Sequence, residues 1–168
     1  QRQMCIRDRG LADASCFQRM LQAALDEHPD CTVVLKVHPD VISGRAQGHF
    51  SGKDLAHPRV RLSADGGHPA RLLERARAVY VVTSQMGFEA LLWGRPVYCF
   101  GMPFYGGWGL THDRCDAPVR RRQGASLEAV VHAVLVGACR CIDPQRHQPC
   151  RIETLMGAIG LQRGLQAQ

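Results

Sequence analysis

The chain alternates short β-branched segments with segments of helical periodicity, and this alternation limits its possible folds more than any other feature. Strand-like segments are predicted at residues 32–37, 59–62, 78–82 and 96–100. Helices are predicted at residues 11–28, 69–76, 87–93, 126–135 and about 152–161. Because short connections join these segments, the prediction is an α/β, Rossmann-like parallel sheet of about four strands with flanking helices. Ligands of such sheets bind beyond the carboxyl ends of the strands.

Local signals mark where several of these helices begin and end. Pro69 suits the first position of a helix, because the N–H that proline lacks is not needed there. Ser126 is a good N-cap for the helix that follows it. Gly94 can adopt the left-handed conformation that a helix C-cap prefers, so it is expected to end the helix of residues 87–93.

Composition excludes several classes of protein. The 168 residues suffice for one domain with one core, and 45% hydrophobic against 21% charged residues argues against a disordered chain. No apolar run approaches the roughly 20 residues that cross a bilayer, and no signal segment opens the chain. We expect a soluble, cytoplasmic domain whose eight cysteines are reduced and form no disulfide.

The basic residues do not predict nucleic-acid binding. The net charge of +6 comes almost entirely from arginine, since Lys36 and Lys53 are the only lysines. These charges are scattered, whereas a nucleic-acid site needs a continuous basic patch. Arg120, Arg121 and Arg122 form the one run, which we interpret as a solvated face, with contact to an anionic lipid or polymer as the alternative.

A compact group of thiols and an imidazole near the C-terminus is the one metal-like feature of the sequence. It consists of Cys139, Cys141, His147 and Cys150. The spacing could wrap a zinc ion, but the paired Cys-x-x-Cys of structural zinc sites is missing. No metal site is therefore predicted, and reduced thiols are expected.

The first ten residues do not look like part of the fold. They show neither helical nor strand periodicity, do not begin with Met, and resemble a translated sequencing adapter. We therefore predict that residues 1–10 are non-native sequence outside the fold and expect the chain to be cut at its N-terminus. The expected organisation is a Rossmann-like lobe at 11–125 and C-terminal helices at 126–168 that pack on it.

The first predicted strand ends in Lys36 and is followed by His38 and Pro39. Pro39 restricts His38 to an extended conformation, so the imidazole would be held rigidly at the strand tip. A ligand contact and an ordinary structural histidine are both compatible with this position. The place of His38 directly after a buried strand favours the ligand.

The third predicted strand passes into a helix through Ser84, Gln85, Met86 and Gly87. Free N–H groups at a helix start can hold a phosphate, and Ser84 can either cap the helix or contact that phosphate. Glu89, in the first turn, is placed to accept hydrogen bonds from ribose hydroxyls. The alternative for Glu89 is a surface carboxylate that stabilises the helix dipole. The sequence has no Walker lysine and no dinucleotide glycine fingerprint.

The fourth predicted strand opens into residues 101–113, where aromatic side chains are interleaved with glycines. The aromatic residues are Phe104, Tyr105 and Trp108, and Gly101 and Gly109 lie before and after them. Glycine lets the backbone approach a ligand closely, and flat rings can stack on a sugar or a base. The alternative is a mobile surface loop with partly buried aromatic side chains. Leaving three aromatic side chains in water is costly, so we favour a ligand-binding cleft.

Three motifs together give this chain a specific resemblance. They are Lys-Val-His-Pro-Asp at 36–40, Thr-Ser-Gln-Met-Gly-Phe-Glu-Ala-Leu at 83–91, and Phe-Gly-Met-Pro-Phe-Tyr-Gly-Gly-Trp-Gly from residue 100. In order and spacing, over about residues 11–161, the chain resembles the capsule polysaccharide biosynthesis and export family. Members of that family are retaining β-Kdo glycosyltransferases, which build the Kdo linker between capsule chains and their lipid anchor.

The resemblance implies one lobe of a GT-B-like enzyme, the C-terminal lobe that binds the donor CMP-Kdo. It implies that His38 lies near the phosphate, beside Pro39 and Lys36, and that Glu89 holds the ribose. The nucleotide would be held at the helix start by Ser84, Gln85, Met86 and Gly87. Phe104, Tyr105 and Trp108 would shape the cleft wall, with Gly101 and Gly109 in the same loop.

The resemblance also limits what this chain can do alone. It places the nucleophilic carboxylate on the other lobe, so no catalytic residue is assigned, although Asp40, Glu89 and Asp113 lie nearest the inferred cleft. It implies no cofactor, a lipid-linked saccharide acceptor bound through the missing lobe, and a cytoplasmic enzyme that can associate peripherally with the inner membrane. Two alternatives stay open: the nucleotide lobe of another GT-B enzyme or UDP-sugar 2-epimerase, and a non-catalytic scaffold of capsule export.

Overall fold

The structure, a computed structural model, describes residues 14–37, 48–63, 69–121 and 123–166. The chain forms two compact units, Gln1–Gly124 and Ala125–Gln168. The first unit carries the predicted strands and the predicted site. None of the described helices is both long enough and apolar enough to cross a membrane.

The first unit opens with a helix and a pair of parallel strands. Helix α1 spans Ala14–Glu27, β1 spans Val33–Lys36, and β2 spans Val60–Ser63. In the register of β1 and β2, Val33 lies opposite Val60. A short helix, α2 at Gly52–Leu55, precedes β2 and begins with a capping box between Ser51 and Asp54. No helix was predicted there.

Three more parallel strands follow, with one short helix before the first of them and another between the first and the second. Helix α3 is Ala70–Arg75, β3 is Val79–Val81, α4 is Met86–Leu92, β4 is Val97–Cys99 and β5 is His112–Asp113. The sheet order is β3-β4-β5. The predicted α/β class with parallel strands and flanking helices is therefore confirmed. The strands hydrogen-bond as a two-stranded and a three-stranded sheet, and the two-residue β5 was not predicted.

Helix α1 packs against both sheets and forms the core of the first unit. Its residues Cys16 and Met20 lie in one buried cluster with Val82 and Phe100, which follow β3 and β4. A second buried cluster joins Leu21 and Leu25 of the same helix to Leu35 in β1 and Val60 in β2. Fully burying one such side chain contributes about 1.5–3 kcal/mol. One helix thus holds the two sheets in one unit.

The end of α4 follows the predicted glycine signal. Gly94 has a φ of 64°, in the left-handed region. The Gly94 N–H donates to the Leu91 carbonyl at 3.0 Å, and the Arg95 N–H donates to the Ala90 carbonyl at 2.9 Å. These two bonds form a Schellman motif, which satisfies carbonyl groups at the helix end. Gly94 therefore ends α4 as predicted.

The second unit consists of two helical segments and a hairpin. Ser126 caps helix α5, Leu127–His132, through its side-chain oxygen, as predicted, and the chain continues as a π-helical segment at Ala133–Ala138. Strands β6, Cys141–Ile142, and β7, Pro149–Cys150, pair antiparallel. Helix α6 spans Ile152–Gln166, somewhat beyond the predicted end. The hairpin was not predicted, because two-residue strands carry no periodicity.

Candidate functional site

The carboxyl ends of β3 and β4 lie side by side, because these strands pair in register, with Val81 opposite Cys99. Gly101, two residues beyond the end of β4, lies so close to the end of β3 that a Cβ there would be 2.8 Å from the Val82 carbonyl oxygen. Only glycine allows this approach without moving the backbone. Residues after both strands therefore meet at one edge of the sheet, where a ligand is expected.

Tyr105 joins the loop after β4 to the start of α4. Its side chain is fully buried, and its hydroxyl donates to the backbone carbonyl of Ser84. A Cβ on Gly87 would lie 2.8 Å from Cζ of Tyr105, so the ring fits against α4 only because residue 87 is glycine. Burial raises the pKa of Tyr105 above its usual range, so the hydroxyl stays a donor at neutral pH. Gly87 and Tyr105 are thus packing partners within the protein.

The first turn of α4 uses some of its own amide groups. The Met86 N–H donates to Oγ of Ser84 at 3.2 Å, and the Gly87 N–H donates to the Ser84 carbonyl at 3.2 Å. The Phe88 N–H donates to the Gln85 carbonyl at 2.9 Å. The side chains of Ser84 and Gln85 are exposed. What this turn offers a ligand is therefore mainly these two polar side chains rather than the amides of Met86 and Gly87.

Glu89 is half-buried one turn into α4. Its Oε2 atom is buried and finds no hydrogen-bond donor among the described residues. A buried carboxylate oxygen without a donor costs free energy, and native proteins seldom leave one so. The position therefore suits a donor brought by a ligand, such as a hydroxyl group.

Phe104 places an aromatic surface beside the start of α4. Its side chain is 38% exposed, although its ring packs against Phe88 of α4 and against Tyr105, with centroid distances of 5.1 Å to each. Trp108 is half-buried, and its Nε1 donates to the Phe104 carbonyl at 2.8 Å. Gly109 is exposed and has a φ of 81°. The loop is thus tied to the helix by buried rings, and part of one ring is left accessible.

The charged side chains of Asp113 and Arg121 hold the loop after β4 through hydrogen bonds. Neither role was predicted from the sequence. Asp113 accepts hydrogen bonds from the Gly107 N–H at 3.0 Å and from the Thr111 hydroxyl at 2.7 Å. Arg121 donates from Nη1 to the carbonyls of Pro103 and Gly106, at 2.6 and 2.9 Å. The interpretation of the arginine run as a solvated face is therefore wrong for Arg121. The spacing of charges along the sequence carried no signal of these contacts.

Lys36 lies on the same cavity as the start of α4, whereas the residues that follow it in the predicted site are not described. A cavity of about 580 Å³ is lined by residues of α1, β1, α3 and β3, and both Lys36 and Met86 lie on it. The end of β1 and the start of α4 therefore border one cavity. His38, Pro39 and Asp40 lie outside the described residues, so their predicted contacts stay predictions.

The thiols near the C-terminus do not gather into a metal site in the described part of the chain. No group of three or more Cys, His, Asp or Glu side chains there is placed to hold a metal ion. Cys139, Cys141 and Cys150 are free thiols. Cys141 and Cys150 lie directly opposite each other in the β6–β7 hairpin.

Comparison with known proteins gives consistent matches. The profile of the family described as capsule polysaccharide biosynthesis protein matches residues 2–141. The capsule polysaccharide modification protein LipA of Neisseria meningitidis serogroup B is 50% identical over 105 residues, which are 62% of this chain and 15% of LipA. The lipopolysaccharide-processing protein LpsZ of Rhizobium meliloti is 37% identical over 116 residues, 69% of this chain and 26% of LpsZ.

Two solved structures share the fold. The β-Kdo 2,4 transferase of Thermosulfurimonas dismutans KpsC superposes with a TM-score of 0.80 at 38% identity, over 89% of this chain and 46% of that structure. The β-Kdo 2,7 transferase of the same KpsC superposes with a TM-score of 0.65 at 28% identity, over 84% of this chain and 47% of that structure. The chain thus spans under half the length of these structures and about a quarter or less of LipA and LpsZ.

Proposed function

Because this chain belongs to the capsule polysaccharide biosynthesis family, we propose that it is the donor-binding lobe of a β-Kdo glycosyltransferase and binds CMP-Kdo. The observation that carries the proposal concerns Oε2 of Glu89, which is buried and has no hydrogen-bond donor among the described residues. Glu89 lies one turn from the exposed side chains of Ser84 and Gln85. A carboxylate oxygen that needs donors suits the hydroxyls of a ribose, which are donors fixed on a rigid ring. The family and the likeness to KpsC support this assignment.

In the proposed complex, each group of the nucleotide meets a different part of the site. Glu89 accepts from the ribose hydroxyls. Ser84 and Gln85 donate to the phosphate, assisted by the positive end of α4, by the ammonium of Lys36 at the end of β1, and by the imidazole of His38, two residues further along the chain. Met86, Gly87 and Pro39 set the shape of the backbone around that phosphate.

The loop after β4 forms the wall of the proposed cleft. Phe104 offers its accessible ring to the nucleotide, while Tyr105 supports the wall from within, since its ring is fully buried. Trp108 donates to the Phe104 carbonyl. Gly101 lets the loop begin close to the end of β3, and Gly109 allows a left-handed turn after Trp108. Aromatic side chains of this kind supply binding area at little cost in conformational entropy.

The proposed chemistry of this lobe is confined to the leaving group. Donating groups that hold the phosphate more strongly as its charge develops lower the barrier for cleavage of the glycosidic bond to CMP. We assign the nucleophile and the lipid-linked saccharide acceptor to the part of the enzyme outside this chain. The chain alone is therefore expected to bind the donor nucleotide without transferring Kdo.

Titration calorimetry of the purified chain with CMP and with UDP tests this proposal. We expect CMP to bind and UDP to bind more weakly. A preference for UDP would instead identify the nucleotide lobe of another GT-B enzyme or of a UDP-sugar 2-epimerase. Binding of neither nucleotide would favour a non-catalytic scaffold of capsule export.

A further inference from the structure

We infer that Asp113 and Arg121 are positioning residues, which hold the loop of residues 101–111 in its ligand-binding shape. This inference rests on the proposed function, since it concerns the same cleft. Asp113 lies in β5, where the loop ends, and Arg121 lies in the turn of 3-10 helix at Val119–Arg121. Their contacts with the loop are the reason for the assignment.

Asp113 fixes the second half of the loop. Its backbone is anchored in β5, opposite Cys99 of β4, so its carboxylate starts from a rigid position. One oxygen accepts from the Gly107 N–H and the other from the Thr111 hydroxyl. Gly107 has a φ of 79°, a conformation that costs little only for glycine and that this hydrogen bond holds in place.

The same contacts tie Asp113 to the loop. Both of its oxygens accept hydrogen bonds from loop residues, one from Gly107 and one from Thr111. The proposed function places the nucleophile outside this chain, so Asp113 is assigned a positioning role and no covalent step.

Arg121 fixes the first half of the loop. Its Nη1 donates to the carbonyls of Pro103 and Gly106, and its guanidinium lies over the Trp108 ring at 5.4 Å from the centroid. A planar guanidinium can donate to two carbonyls while it stacks on a ring, and a lysine ammonium cannot reproduce that geometry. The side chain therefore fixes the turn on both sides of Phe104.

The two residues together preorganise the wall of the cleft. The carbonyls of Pro103 and Gly106 are held by Arg121, and the Phe104 carbonyl between them is held by Trp108, which Arg121 covers. A loop that is already ordered costs a ligand less entropy to bind. Loss of either charged side chain should therefore weaken nucleotide binding without removing any group that touches the nucleotide.

The test combines a reporter of loop shape with a measurement of affinity. In a Trp93→Phe background Trp108 is the only tryptophan, so acrylamide quenching of its fluorescence reports on the loop. We expect Arg121→Lys to raise the quenching constant of Trp108 and to weaken CMP binding about tenfold, as for the loss of a charged hydrogen bond. Asp113→Asn, which can no longer accept from Gly107 and Thr111 with two oxygens, should change both quantities in the same direction.

Arg140→Lys is the matched control, since Arg140 is exposed in the second unit, and it should change neither quantity. If Arg121→Lys or Asp113→Asn does not fold by circular dichroism, Thr111→Val removes one donor to Asp113 and should produce a smaller change of the same sign. An unchanged quenching constant, or unchanged CMP affinity in a loosened loop, would overturn the inference. Absence of CMP binding by the chain before substitution would instead overturn the proposed function.

Discussion

At the scale of single residues, burial of Glu89 costs the folded protein free energy, and the proposed ligand contact would offset that cost. Its Oε2 is buried and lacks a donor among the described residues, so the folded protein carries a desolvation cost that a ligand hydroxyl could offset. Such groups are typical of binding sites, where stability is exchanged for affinity. Ordinary surface carboxylates that only stabilise a helix dipole are solvated and show no such cost.

Glu89→Gln should therefore affect stability and binding in opposite directions. A neutral amide is less costly to bury than a carboxylate, so the free energy of unfolding in urea should stay the same or rise. The affinity for CMP should fall about tenfold, because a charged acceptor for the ribose is lost. Calorimetry and urea unfolding of the same preparation measure the two effects.

Glu74→Gln serves as the control for this substitution. Glu74 lies on α3 and its side chain is exposed, so neither stability nor CMP affinity should change. If Glu89→Gln lowered stability and left CMP affinity unchanged, Glu89 would be a structural residue and the proposed ribose contact would be wrong.

At the scale of secondary-structure elements, the β6–β7 hairpin brings two cysteines together. The Asp143 N–H donates to the Gln148 carbonyl at 2.9 Å, so by the alternation of an antiparallel ladder Cys141 and Cys150 form another hydrogen-bonded pair. The Cα atoms of such a pair are about 5.5 Å apart, which lies within the range that a disulfide spans. Desolvation, together with Cys141 and Asp143, raises the pKa of Cys150, which slows its reaction at neutral pH.

Glutathione disulfide at mildly alkaline pH should therefore join Cys141 to Cys150. The two thiols would lose two electrons and two protons, and glutathione disulfide would be reduced to two glutathione thiols. Trypsin cleaves after Arg140, Arg146 and Arg151, so the bond would link the peptides 141–146 and 147–151. Mass spectrometry before and after reduction detects that linked pair.

Cys139→Ser should leave the linked pair intact, since Cys139 is exposed outside the paired strands. Cys150→Ser should abolish it. A disulfide from Cys139 to either of the other two cysteines as the main product would show that the register of the hairpin differs from the one described.

At the scale of the whole molecule, the first unit depends on α1 as the element shared by its two sheets. Leu25 packs with Leu35 and Val60 of the first sheet, whereas Met20 packs with Val82 and Phe100 beside the second. Because one helix makes both contacts, a substitution that weakens the packing of one sheet should also lower the stability of the other. The site at the end of β3 and β4 thus depends on packing that lies outside it.

Leu25→Ala should lower the free energy of unfolding by about 2–5 kcal/mol, the usual cost of a cavity in a core. The shift should appear in tryptophan fluorescence, although Trp93 and Trp108 both belong to the region of the second sheet and Leu25 packs on the first. Leu92→Ala, at a side chain that is 52% exposed, should change stability by about 0.5 kcal/mol or less. A fluorescence midpoint that Leu25→Ala leaves unmoved would mean that the two sheets unfold independently.

The sequence by itself determined the class of fold and the ends of several elements. The β-branched segments that predicted the first four strands, the N-cap at Ser126 and the C-terminal glycine at Gly94 all act over a few residues, so each can be identified without the rest of the chain. Strands of two residues, such as β5, β6 and β7, are too short for any periodicity and were missed. The residues around Ser84 and Glu89 were predicted from their position after a strand, which a parallel sheet makes informative.

Only the tertiary structure decided which contacts the residues of the site make. The contact of Tyr105 with Ser84 joins residues 21 positions apart, and Arg121 reaches carbonyls 18 and 15 positions away. Burial of Oε2 of Glu89 likewise depends on what packs around α4. Such contacts arise from the arrangement of distant segments, and neither periodicity nor local charge encodes that arrangement, so the arginine that holds the loop could not be told from a solvated one until the chain was folded.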